Sequence, residues 1–280
     1  MRNALLSGLA ALLVIPVDAL AQDRNYDPQS AYQAQSFHGF TVLVNPQVLA
    51  QARAAADVRA ELARQFEEVV EVVPPAAVLA LRKVRIWVEW SRRADAGAEF
   101  HVSRRWLEKN GYNPAKTSDI EISNSLNFVS WSRAEQPCMV LHELAHAYHF
   151  LVLGESHAEI AAAYRQAVER RLYESVDYAG GGKRRAYALV NEKEYFAELS
   201  EAYFCRNDYY PFTRTELQRH DPVGYQVLQR AWGNAANRDS VALISESANR
   251  TCAGLGSPCH RSAGCRVRRA RLLRAASSLP

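Results

Sequence analysis

The sequence has no charge bias over most of its length, no internal repeat, no second long apolar run and few cysteines. Each absence removes a class of protein. Beyond residue 233 there are eight arginines, opposed only by Asp239 and Glu246. The rest of the chain therefore holds 26 basic residues against 28 acidic ones. Such a balance does not give the basic stripe that a phosphate backbone requires, so no nucleic-acid partner is expected. After the N-terminal Ala4–Val17 stretch, no apolar run approaches the length of a bilayer span. The five cysteines are Cys138, Cys205, Cys252, Cys259 and Cys265. Their odd number requires a free thiol or an intermolecular bond, and the last three lack the spacing of a zinc site. Cys138 and Cys205 read as two buried small thiols in preference to a disulfide.

What is present begins with a targeting pattern. Arg2 is followed by the apolar run to Val17 and by Ala19-Leu20-Ala21, the small residues a signal peptidase needs. Residues 1–21 are thus expected to be a signal peptide, and Asp18 argues against a retained anchor. The expectation is a secreted or periplasmic protein with no stable membrane span after cleavage. Residues 22–233 are long enough for one domain with a real core. From residue 234 to 280, Ala, Ser, Arg and Gly dominate and periodicity fades, as in a disordered, basic, solvated tail. The sequence does not fix the oligomeric state.

Along the central part, residues 22–36 are polar and read as loose, and Phe40–Val44 reads as a short strand. Helical spacing runs from Pro46 to Val72 and stops at Pro74-Pro75. Ala76–Leu81 suits a short helix. Val84–Trp90 alternates with β-rich residues, as a strand does. Gly111–Pro114 is a turn, and Ile120–Val129 reads as extended chain, a possible edge for pairing with a substrate. The second half is helical at Gln136–Leu153, Ser156–Tyr173 and Asn191–Phe204, with a glycine-rich loop at Tyr178–Gly182. An aromatic turn at Asp208–Phe212 and short helices near 213–219 and 222–232 follow. Early strands and later helices predict a single α+β domain.

The chemistry lies in His142-Glu143-Leu144-Ala145-His146. Two histidines four apart share a helix face, so both imidazoles can reach one metal, here Zn2+. Glu143 then stands beside the ion, where it can take a proton from water that the metal activates. A catalytic zinc needs a third protein ligand. His149 lies ~10 Å along the helix from His142, too far to share the ion. It reads as a packed or hydrogen-bonded residue, or as a substrate contact. Glu194, Glu198 and Glu201 form one stripe on the helix Asn191–Phe204, among Tyr195, Phe196 and Leu199. Three like charges so placed need solvent or a positive partner.

The two segments together, His142-Glu143-x-x-His146 and Tyr187-x-x-x-Asn191-Glu192-x-Glu194-Tyr195-Phe196-Ala197-Glu198, resemble the catalytic domain of anthrax lethal factor-type zinc metallopeptidases. The resemblance covers roughly residues 80–232, with close matching confined to the two motifs. It implies a zincin-like fold, Glu194 as third ligand and Tyr187 as a catalytic tyrosine donating to the oxyanion. The body is similar to small secreted metallopeptidases of that superfamily. Glu198 either orients a ligand histidine or is a helix-face carboxylate. The resulting expectation is an exported peptidase, with one zinc per chain and a peptide or protein substrate. The alternatives are a zinc amide hydrolase of cell-wall peptides and a zinc-bearing binding module without activity.

Overall fold

In the computed structural model, which describes residues 25–233, period-two alternation in three parallel segments builds the centre of a sheet. These are β2 (Phe40–Val44), β3 (Arg85–Val88) and β5 (Ile120–Ile122), with β1 (Gln33–Phe37) and β4 (Ala98–Phe100) antiparallel at the edges. The strand order is β1-β2-β3-β5-β4. The fold is mixed α+β. The expected signal peptide and basic tail, with Cys252, Cys259 and Cys265, lie outside the described residues. Among those described, no helix is long and apolar enough to cross a membrane.

One face of the sheet carries Val42, Val44, Ile86, Val88, Ile120 and Ile122, all buried in the main core. Helices cover it. α1 (Pro46–Leu49) is capped by the Asn45 side chain, which accepts from Gln47 N–H at 2.8 Å. α2 (Ala52–Val72) buries Val58, Leu62, Phe66 and Val69 at helical spacing, and α3 (Pro75–Leu81) follows the proline pair. α4 (Arg104–Lys109) precedes β5, and α5 (Ser125–Ala134) follows it. Then come α6 (Met139–Tyr148), α7 (Ala158–Glu169), the hairpin β6 (Val176–Asp177) and β7 (Lys183–Arg184), α8 (Glu192–Phe204) and α9 (Arg214–His220). A last helix, α10, covers residues 222–233.

Several segments differ from their sequence reading. The long helix expected from Pro46 is two, because Gln51 leaves helical geometry at φ −104° and ψ 77°. β1 lies in chain read as loose; an exposed edge strand needs only backbone pairing, and its polar residues give no alternation. β4, at three residues, is too short for any period to register. Residues 125–129, expected to be extended, belong to α5, because the Asn124 carboxamide accepts from the amides of Leu126 and Asn127 and starts the helix. Ile120–Ile122 is an interior strand, so the open edge near the helices is β4 instead. The expected helix 136–153 starts only at Met139 and ends in a π-helical turn, His149–Leu153.

The other sheet face holds Leu43 and Trp87 under Tyr32, and beside them a buried ionic network. Lys116 and Glu121 are fully buried, with Lys116 Nζ 3.0 Å from Glu121 Oε1 and also paired with Glu89. Tyr32 Oη donates to Glu89 at 2.6 Å, and Asn45 Nδ2 donates to its other oxygen at 2.9 Å. His101, just past β4, meets Glu121 Oε2 at 2.8 Å. Burial pushes the Glu121 carboxyl up, but His101 and Lys116 override it and hold the group below the ordinary range. The network thereby ties the end of β4 to the sheet interior. Removing one partner leaves the others charged and dry. Lys116→Ala is expected to destabilise the fold by about 3–5 kcal/mol in urea unfolding; a loss under about 1 kcal/mol would contradict this account of the network.

Candidate metal centre

Two helices supply the site. α6 is buried nearly all round, yet His142 and His146 reach a cleft and keep 12% and 15% side-chain exposure. α8 starts on Asn191, whose side chain accepts from the amides of Lys193 and Glu194. That cap puts Glu194 in the first turn of α8, facing α6. The helices run antiparallel and are joined at one end. Cys138, the residue before α6, is disulfide-bonded to Cys205, the residue after α8. This corrects the reading of the pair as two buried thiols. The pairing was hidden because the cysteines are 67 residues apart in sequence. At the C-terminal end of α6, Trp232 of α10 stacks on Tyr148 and on Phe196 of α8, with ring centroids 4.1 and 5.8 Å away. Its Nε1–H donates to Ser200 Oγ at 3.0 Å.

Three donor atoms converge. His142 Nε2 and His146 Nε2 are 3.1 Å apart, and Glu194 Oε2 lies 3.2 and 3.1 Å from them. Ligands ~2.0–2.1 Å from a tetrahedral zinc stand about 3.3 Å from one another, so this triangle has the size zinc requires. Protons alone satisfy the arrangement poorly, since one shared proton serves only one side of the triangle. The set of two imidazoles and a carboxylate also suits zinc by type. Burial acts to lower the His142 imidazolium, but hydrogen bonds to Glu194 and Glu201 override it, and the group is held well above its ordinary range. Glu194 is held below the usual carboxylate range, since the two histidines outweigh its burial. The cluster attracts positive charge.

Behind the triangle, His142 Nδ1 meets Glu201 Oε1 at 2.6 Å. Glu198 Oε1 is 4.0 Å from the same nitrogen, and its other oxygen accepts from Asn207 Nδ2 at 3.2 Å. The orienting carboxylate is therefore Glu201, one turn beyond the residue weighed for that role. Antiparallel packing is the reason: His142, early in α6, lies opposite the later turns of α8. Burial pushes Glu201 up to about 7, even against its bond to His142. Of the three stripe carboxylates, only Glu194 joins the triangle.

Glu143 is buried and lines the cleft. Its Oε2 accepts from Phe100 N–H at 2.7 Å. In β4 the amides of residues 97, 99 and 101 face β5, so those of Ala98 and Phe100 turn to the open edge. Glu143 occupies one of these outward groups. The short β4, unread in the sequence, thus forms one lip of the site. Tyr187 opens a one-turn 3-10 helix, 46% exposed, with its ring centroid 6.4 Å from that of His142. Burial, then the charge of Glu194, raises its phenol above the usual range, so at neutral pH it keeps its proton. Trp131, Tyr178, Asp208 and Tyr209, which sequence reasoning did not single out, line the same cleft of about 500 Å³. They come from separate loops and helix ends and carry no common spacing.

His149 is buried one turn past His146 and takes no part in the triangle. The structure thus brings His142, Glu143, His146, Tyr187 and Glu194 to one cleft. No protein-family model, curated protein or solved structure matches the chain. If Glu201 holds His142 in its ligand tautomer, Glu201→Gln should weaken zinc affinity about 10- to 100-fold in chelator competition. Glu194→Ala should lower bound zinc in elemental analysis. Full zinc retention by the Glu194 variant would remove it from the ligand set.

Proposed function

We propose that the protein is an exported zinc metallopeptidase of zincin type that hydrolyses peptide bonds in its α6–α8 cleft. The observation that carries the reading is the donor triangle of His142, His146 and Glu194 with Glu143 beside it. His142, His146 and Glu194 would hold the metal, and Glu201 would keep His142 in position. Zinc would supply Lewis acidity, acidifying a water molecule and polarising the substrate carbonyl.

The chain's own residues account for the remaining steps. Glu143 is fixed through Oε2 by the Phe100 amide, which leaves Oε1 to take a proton from the attacking water and pass it to the leaving amine. Tyr187 stands across the cleft with its phenol protonated, suited to donate to the oxyanion as the carbonyl carbon becomes tetrahedral. The outward amide groups of β4 at Ala98, and the Phe100 carbonyl, offer strand-type pairing to an extended peptide. This role passes from the segment 120–129 to β4. The Cys138–Cys205 disulfide supports an oxidising, exported setting. The two outward backbone-pairing positions of β4 suit an amide in extended chain better than a compact ester.

Glu143→Gln should leave zinc stoichiometry and the unfolding midpoint unchanged and abolish cleavage of unfolded protein substrates. Tyr187→Phe should lower kcat by roughly 10²-fold with little change in KM. Undiminished cleavage by the Glu143 variant would overturn the mechanism, and a Tyr187 effect confined to KM would remove its oxyanion role.

A further inference from the structure

A second cavity, of about 160 Å³, opens beside the centre and shares Phe100, His146 and Glu194 with the main cleft. Phe100, Val102 and Phe150 give it an apolar wall, and Glu155 and Lys193, 3.8 Å apart, stand at its exposed side. His149 is the one buried residue of its lining, at 2% exposure. The imidazole packs edge-on against Phe196, ring centroids 5.3 Å apart. Neither of its ring nitrogens has a hydrogen-bond partner. A buried polar group left so gives up its hydration with nothing in return. Packing on Phe196 would be served as well by a phenylalanine or leucine. An unpaired imidazole bordering a cavity instead points to a partner that enters the cavity.

Size and polarity narrow that partner. An apolar cavity of ~150 Å³ holds one benzene ring, and this one is of that size. Burial pushes His149 down to about 4, so at neutral pH it is an uncharged ring with one N–H and one lone pair. A hydroxyl both donates and accepts and can use either. A carboxylate or an ammonium matches only one and gives up its hydration to enter.

We propose that this pocket is a specificity site for a phenolic side chain, a tyrosine of the substrate, with His149 reading its hydroxyl. The assignment of that phenol to a substrate residue rests on the peptidase reading above. Since pocket and cleft share three lining residues, the residue held would adjoin the bond at the centre.

Two measurements test it. The first needs no turnover: the zinc-loaded full chain is titrated with p-cresol and with toluene while the His149 ring nitrogens are followed by NMR. The expected result is a shift of those nitrogens by p-cresol and binding at least tenfold tighter than toluene. In His149→Phe the tenfold difference should vanish; should that variant not fold, the wild-type titration still decides. Equal binding of the two fragments, or binding of neither, overturns the proposal. The second is the cleavage-site profile of unfolded casein, expected to be enriched in tyrosine at one position flanking the cut. Cleavage without that enrichment overturns the proposal and leaves the peptidase reading standing. Selective p-cresol binding without any cleavage upholds the phenol site and overturns the peptidase reading.

Discussion

α6 and α8 pack antiparallel in one register, and that register decides which carboxylate meets which imidazole. A slip of one helical turn would put Glu198 where Glu194 stands and leave His142 Nδ1 without Glu201. Three unrelated contacts resist such a slip. The Cys138–Cys205 bond fixes one end, the Asn191 cap holds the first turn of α8, and Trp232 stacks on Tyr148 at the far end of α6 and on Phe196 of α8. Each acts on the backbone or core rather than on the donor atoms. The donor triangle can therefore be held close to the geometry a metal needs by contacts that lie outside it.

The remainder of the site depends on the sheet. β4 is only three residues long, and a strand so short has little packing of its own. It stays in place because His101 enters the buried network of Glu121, Lys116 and Glu89 on the far face. An ionic network there is costly in desolvation and gives little net stability compared with an apolar core. What it provides is position, since each member has a fixed partner. The apolar face is left free to carry the helices, and the polar face holds the strand beside them.

Much of the site was legible because its main signals are local. His142 and His146 lie one turn apart on a helix, so spacing alone puts them together, and Glu194 and Tyr187 came from the likeness of two short motifs. What escaped reading was non-local. Glu201 meets His142 only through helix packing, although its membership of the Glu194 stripe was visible. The Cys138–Cys205 bond joins residues whose sequence separation says nothing about contact. In the fold, helices with caps or proline stops were read closely, as at Asn191 and Pro74-Pro75. β1 and β4 were missed because backbone pairing at an edge leaves almost no trace in side-chain pattern. Residues 125–129 are helical where the sequence suggests extended chain, because the Asn124 cap outweighs the β-like run before it.

The hydrogen bond from Phe100 to Glu143 joins the rim of the cleft to its interior. An outward displacement of β4 would pull on Glu143 or break this bond. A molecule that docks along the outer backbone of β4 and pulls on it would detune the centre without touching a single donor atom. The lip of the cleft is thus also a lever, and its leverage comes from one amide.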